Sequence, residues 1–509
     1  MNRRQLIAAA SAAVFSGAAA PSTRQRDLQG DIDIVRRALA LHPGLYRYST
    51  PAEVEERLAL LEKTFTAART SEAHYLILSR FLATIRCGHS YCNVFNQSKS
   101  LASALFDRKT RLPFYFVWLE GRMVVTADPS GLGVPVGAEV LTVNDVPAPD
   151  LLKALMPYAR ADGHNDAKRA ALLGVTGIES IEFFDVFHGL VFGAPAGGSY
   201  HLVLRLANGE VTQRELPAVG LTERRAQMKV RDYSGTEPFW TWTLRPDGVA
   251  VLTMPNWAMF NSQWEWRTWL DERLNSLPGH RGLIIDLRDN EGGNDCGDEI
   301  LARLTASPIT RPGAELLVRF QRTPRDLDRH LDTWDNSFRT LGVGATPVAE
   351  GFYRLTGEHA NDTILPRAPR LDIRTAALIG PVNSSATFNF ADKARASGLV
   401  RLFGETTGGN QRGINGGCFF FVRLPASRLE FDLPLIGYFP PGHPPDAGLA
   451  PDVDIRPTAA DLAKAYDPTL EAAVEWVIAA KDETQAAVRR MEPVRISASC
   501  CVAQHHPDC

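Results

Sequence analysis

Two short runs, Val249 to Met254 and Leu283 to Leu287, are largely apolar and lack the alternation of a strand that faces water on one side. A strand that reads this way is buried on both faces, as in a parallel sheet with helices packed above and below it. Ala376 to Ile379 and Leu399 to Phe403 repeat the pattern, and helix-like stretches around Trp264 to Leu274 and Phe390 to Ala396 fall between such runs. The chain from Gly248 onward is therefore expected to be α/β. Cys418 to Leu424 and Leu429 to Leu433 predict a β-hairpin across Pro425-Ala426-Ser427, and Asp467 with Pro468 predicts the start of a closing helix to Ala480.

The first half reads differently. Val54, Leu58, Leu61 and Phe65 follow a 3.6-residue period, as do Tyr75, Leu78, Leu82 and Ile85, so two amphipathic helices are expected, the second capped by Ser71. That run should break at Cys87-Gly88-His89, where glycine permits a sharp exit. From Leu112 to about Val219 the pattern becomes strands: Phe114–Leu119 and Arg122–Thr126 around Glu120-Gly121, Gly137–Val143 ending at Asn144-Asp145, and His201–Leu206. Between Leu151 and Phe192 the sequence is helical or irregular.

The charge balance of 55 basic and 58 acidic residues, net −3, offers no field to draw the chain toward nucleic acid or anionic lipid. At 509 residues and 45% hydrophobic content, about three packed domains are expected. Residues 1–20 read as an export signal: Arg3 and Arg4, an apolar stretch from Leu6 to Phe15, then Ala18-Ala19-Ala20. The stretch is shorter than the roughly 20 residues of a membrane span. The adjacent arginines resemble a twin-arginine signal. A periplasmic or secreted location, cleavage after Ala20 and no span in the mature chain are the expectations. Seven cysteines in an oxidising compartment leave at least one unpaired; Cys87 and Cys92 flank His89 and could form a local disulfide. The tail CCVAQHHPDC reads as a mobile terminus in preference to a metal tract. No metal or other cofactor is expected.

Three places can carry chemistry. Gly282 to Asn294 runs from a buried strand into a turn with Gly292-Gly293, whose backbone N–H groups can form an oxyanion hole or simply an ordinary strand-to-helix turn. Leu378 to Phe388 places Ser384 and Ser385 at a strand-to-helix junction, near the positive end of a helix dipole; either can be a nucleophile or an N-cap. His89 lies beyond a helix end and has the ordinary pKa of a general base near neutrality, although a lone histidine is more often structural. Asp446 can orient such a histidine or serve as a turn carboxylate.

In order, the motifs Asp286-Leu287-Arg288 with Asn290 and Gly292-Gly293, then Asn383-Ser384-Ser385-Ala386, then Gly404 to Gly409, then Gly448 to Asp452, closely resemble the S41 serine peptidases, the tail-specific or C-terminal processing proteases. His42-Pro43-Gly44-Leu45-Tyr46 and Gly88-His89-Ser90 look like the N-terminal region of one branch, so the resemblance spans about residues 40 to 480. It implies an α/β crotonase-like catalytic core over 240–482, a PDZ-like β-rich module with a helical insertion over 109–220, and an N-terminal helical domain over 21–108, with a tail over 483–509. It implies Ser385 as nucleophile and the amides of Ala386 and of Gly292 or Gly293 as the oxyanion hole. The lysine base of the processing proteases is replaced by Asn410. The tricorn-like branch instead uses an N-terminal histidine with a downstream acidic residue, which implies His89 as base; the segment before Pro451-Asp452 lacks the glutamate expected there and offers Asp446 instead. Hydrolysis of polypeptides, including unstructured C-termini, is the expected activity; a non-catalytic peptide-binding homologue and an esterase or small-peptide hydrolase are the alternatives.

Overall fold

The computed structural model describes residues 23–491 except 230–232, 311–312 and 357–362. The expected signal peptide and the Cys/His tail after residue 491 lie outside the described residues. Helices Thr23–Leu39, Pro51–Ala67 and Ser71–Ala83 open the fold. Val54, Leu58, Leu61 and Phe65 are all buried, as their spacing requires. Thr50 and Glu53 exchange hydrogen bonds in a capping box. The cap of the following helix is Thr70, one residue earlier than expected: its hydroxyl accepts the Ala73 N–H, and Ser71 becomes the first helical residue. The exit toward His89 also differs. The left-handed residue is Arg86 (φ 59°), whereas Gly88 serves close approach, since a Cβ there would lie 2.7 Å from Asp162 Oδ2.

An antiparallel sheet follows in the order Tyr115–Leu119, Arg122–Ala127, Glu139–Val143, Ser199–Arg205, Val211–Pro217. Glu120-Gly121 and Asn144-Asp145 both have positive φ at their two central residues, the twist that suits tight hairpins. Helices Ala148–Leu155, Asp166–Leu172 and Phe183–Phe192 are inserted between the third and fourth strands.

The second half holds a six-stranded sheet in the order Val453–Asp454, Val400–Gly404, Thr375–Ile379, Gly282–Asp286, Val249–Thr253, Thr241–Leu244, parallel except for the last pair. Its central strands, Val249–Thr253, Gly282–Asp286 and Thr375–Ile379, are buried on both faces, and alternate residues feed different apolar clusters. Ala250, Leu252, Leu283, Ile285, Ala377 and Ile379 pack with helices Trp266–Asn275, Cys296–Leu304 and Ser385–Ser397. Val249, Val251, Ile284, Ala376 and Leu378 pack with Ala473, Val474 and Val477 of the closing helix, which runs from Pro468 to Met491 rather than ending at Ala480.

The expected hairpin is present as Asn415–Arg423 and Glu430–Phe439, in a separate sheet. Cys418, Phe420, Val422, Phe431, Leu433 and Leu435 join the apolar cluster of the N-terminal helices and the antiparallel sheet. This packing sets the N-terminal half, and with it His89, beside the parallel core. Cys87 and Cys92 are buried free thiols, so no local disulfide flanks the histidine. Among the described residues no helix is long and apolar enough to cross a membrane.

Candidate active site

Strands Gly282–Asp286 and Thr375–Ile379 are parallel neighbours, so the turns leaving their C-terminal ends lie side by side. Two fully buried asparagines lock those turns together. Asn383 donates from Nδ2 to the carbonyls of Leu287 and Asn290, accepts the Gly380 N–H at 2.7 Å through Oδ1, and its own carbonyl accepts the N–H groups of Gly408 and Gly409. Asn290 donates to Met254 O and accepts from the Gly292 N–H and the Thr387 hydroxyl. Each bond satisfies a buried polar group that would otherwise cost about 1–3 kcal/mol.

The two glycines then take conformations that side chains rarely adopt, φ 120° at Gly292 and 132° at Gly293. A Cβ on Gly292 would lie 2.9 Å from Ser385 Cβ and 3.1 Å from the Ala386 nitrogen, and one on Gly293 would run into the Trp257 carbonyl. The Gly292 N–H is already used by Asn290. Among the described residues no protein acceptor takes the N–H of Gly293 or Ala386, so these two amides are the ones available to an oxyanion. Gly293→Ala is expected to destabilise the fold by about 3 kcal/mol through overpacking against Trp257, read as a lower urea midpoint; an unchanged midpoint would contradict the close approach.

The two serines differ in their surroundings. Ser384 is 2% exposed; its Oγ accepts from Lys168 Nζ at 2.5 Å and donates to Glu291 O at 3.1 Å. Ser385 is half-buried, its hydroxyl has no hydrogen bond among the described residues, and it begins the helix with φ 51°, a left-handed conformation unusual outside glycine. Neither caps an amide, since Ser384 makes no side-chain cap bond. A strained, unengaged serine at the N-terminus of the 13-residue helix Ser385–Ser397 has the features of a nucleophile at a strand-to-helix turn.

His89 stands among charges. Burial pushes its pKa below the usual 6.5, Asp162 pulls the other way, and Lys168 and Arg160 add to burial. Its Nδ1 and Asp162 Oδ2 are both buried without a hydrogen-bond partner, while Asp162 Oδ1 accepts the Gly88 N–H at 2.8 Å. Arg160 donates to Gly88 O and pairs with Glu291, as does Lys168 at 2.9 Å. Burial alone would raise the Glu291 pKa, but Arg160 and Lys168 overcome it and hold the carboxylate at about 2. Thus Lys168 and Glu291 link the surroundings of His89 to Ser384, although no direct hydrogen bond joins His89 to Ser385. His42, from the N-terminal motif, bonds Ser90 Oγ through Nε2 at 2.9 Å; burial lowers its pKa to about 3, so it stays neutral and anchors the residue after His89.

Asp446, expected behind His89, is engaged elsewhere: His164 Nδ1 lies 2.5 Å from its Oδ2, and Asn410 Nδ2 donates to its Oδ1 at 2.7 Å. Burial alone would raise its pKa, but the bonds from His164 and Asn410 hold it below the ordinary carboxylate range. Asn410, in the place of the missing lysine, is fully buried and bonds Asp446 and the Asp162 carbonyl.

Peptidase family S41 matches residues 248–455, which span the parallel sheet from Val249 to Asp454 and both turns. Over those residues the chain is identified as an S41 peptidase region. That match makes the region a serine-type peptidase, a hydrolase. Mature CPAF complexed with lactacystin shares 15% identity over 92% of this chain and 100% of that chain, with a TM-score of 0.61. Mature CPAF shares 15% identity over 93% of this chain and 99% of that chain, with a TM-score of 0.58. At that identity the likeness is one of fold. No curated protein matches the sequence.

Sequence reasoning did not find Lys168, Asp162, Arg160 or Glu291 in this site. Lys168 is wholly buried on the short helix Asp166–Leu172, and the chain Asp162–Lys168 enters from the insertion within the antiparallel sheet. The two asparagines were visible only as letters of the family motif.

Proposed function

We propose that this S41 peptidase is an exported endopeptidase that cleaves polypeptides through a Ser385 acyl-enzyme, with His89 as general base. The observation that carries the reading is an unengaged, left-handed Ser385 on a turn that adjoins the glycine turn, with the amides of Gly293 and Ala386 free of protein acceptors among the described residues. In the proposed step Ser385 Oγ attacks the substrate carbonyl as its proton passes to His89. The carbonyl oxygen becomes an oxyanion held by the two N–H groups, and collapse expels the amine, which takes the proton from His89. Water, deprotonated by His89, then releases the acid and restores the serine. Contacts between nucleophile and base that are long in the free enzyme tighten in the Michaelis complex.

The free Asp162 Oδ2 beside the unpartnered His89 Nδ1 makes Asp162, rather than Asp446, the acid of this reading. It would fix the tautomer that leaves Nε2 as acceptor. Lys168 and Glu291 hold Ser384 still, which fixes the backbone on which Ser385 turns. The antiparallel sheet with its helical insertion is proposed as a PDZ-like module feeding substrate C-termini to a crotonase-like core.

Incubation with an unstructured polypeptide tests the activity. New internal N-termini are expected, blocked by a serine-directed inhibitor; an intact substrate would favour the non-catalytic binding reading, and cleavage of esters alone the esterase. Sequencing the exported protein is expected to begin at Pro21, and retention of Met1 would remove export from the proposal.

A further inference from the structure

The hairpin beside His89 carries an aromatic face that the catalytic reading leaves unused. From Gly416 to Arg423 the even positions are buried and the odd ones are not. Cys418, Phe420 and Val422 are buried in the apolar cluster, while Phe419 and Phe421 point to the other face and remain partly accessible. Trp334 joins them with 61% of its surface exposed, its ring centroid 5.9 Å from that of Phe419, 5.7 Å from Phe421 and 5.3 Å from Phe338. An indole exposed to that extent beside two phenyl rings is an apolar patch of the kind that marks a recognition site.

The patch runs into the candidate catalytic base. The Phe419 and His89 ring centroids are 5.7 Å apart, and a Cβ on Gly416 of the same strand would lie 3.9 Å from His89 Cε1. Across the hairpin, Phe421 is paired with Asp432 and Phe419 with Pro434, so these four residues share one face. The chain following His89 is tied down on that face: Tyr91 O accepts the Asp432 N–H, and Asn93 and Asn96 donate to the Asp432 carboxylate. The histidine segment is therefore held at Asp432 on one strand of the hairpin, and the aromatic rings lie on the other strand and reach Trp334.

We infer that Trp334, Phe419 and Phe421 form a subsite that takes a large apolar or aromatic side chain of the polypeptide substrate, next to the bond being cleaved. The inference rests on the proposed role of His89, because the continuity of the rings with that histidine is what selects the substrate as occupant. Burying a phenyl side chain on such a surface corresponds to about 10- to 100-fold in affinity.

The test uses the full chain and pairs of internally quenched peptides that differ only by Phe against Gly at one position near the cleaved bond. In the wild type kcat/KM is expected to favour Phe by about 10-fold or more at one position. In Trp334→Ala that ratio is expected to fall to about 3 or below, the remainder coming from Phe419 and Phe421. Binding is read separately in Ser385→Ala, where the Phe peptide should change the tryptophan emission and the change should be lost on adding Trp334→Phe. An equal Phe/Gly ratio in wild type and Trp334→Ala overturns the subsite while leaving the peptidase reading in place. Trp334-dependent binding without hydrolysis by the wild type sustains the subsite and sinks the catalytic reading. A dimer that Trp334→Ala dissociates, seen by sedimentation, would make the face a contact between copies and overturn the proposal.

Discussion

Ser385→Ala is expected to lower kcat on an unstructured polypeptide by about four orders of magnitude or more, the scale on which a serine nucleophile is lost, and to abolish labelling by a fluorophosphonate probe. Its unfolding midpoint should stay near that of the wild type, because the Ser385 hydroxyl makes no hydrogen bond that folding would lose. Ser384→Ala should give the opposite pair of results. It removes the acceptor of Lys168 and the donor to Glu291 O inside the fold, leaving a buried ammonium short of one partner, so a loss of about 1–3 kcal/mol is expected with labelling retained. The two measurements together separate a nucleophile from a buried support. Labelling that survived in Ser385→Ala and vanished in Ser384→Ala would transfer the attack to Ser384 and make Lys168, 2.5 Å from its Oγ, the base.

The parts of this site that the sequence discloses are those whose meaning is local. Strand Gly282–Asp286 runs into its glycine turn, and strand Thr375–Ile379 into Ser385, within a few residues, and burial on both faces erases the alternation of Val249–Thr253. Each feature is written in consecutive letters. Lys168 is not: in Asp166-Ala167-Lys168-Arg169 it reads as a solvated residue of a short polar helix. It becomes buried because the insertion carrying that helix packs on the turn after Asn383, where Gly408 approaches Lys168 Cδ to 2.9 Å at the position of a Cβ. Asp162 and Arg160 are hidden for the same reason, as their partners Gly88 and Glu291 lie 74 and 131 positions away. Asp446 shows the converse case. Ahead of Pro451-Asp452 the sequence offers Asp446 in place of the expected glutamate, but His164 and Asn410 occupy it, and no pattern in the sequence pairs residues 164 and 446. The cap at Thr70 rather than Ser71 is a smaller instance, where two adjacent hydroxyls satisfy the same rule and packing chooses between them.

His89→Ala is expected to reduce kcat/KM by about 100- to 10,000-fold, the range for losing a positioned general base, while fluorophosphonate labelling slows without disappearing because Ser385 and both amides remain. The pH dependence tests the same assignment in the wild type. A base works when neutral, and a pKa lowered by burial extends the neutral form toward acid, so the acid limb of kcat/KM should fall below pH 6.5. Asp162 acts in the opposite direction on that pKa, so Asp162→Asn should move the limb further toward acid and reduce turnover by removing the acceptor proposed to orient the ring. Asp446→Asn leaves that limb in place, since its carboxylate is spent on His164 and Asn410. If Asp446→Asn shifts the acid limb and Asp162→Asn does not, the acid of the triad is Asp446 after all, reached by a rearrangement that frees it from His164. An acid limb that persists unchanged in His89→Ala would remove the histidine from the mechanism altogether.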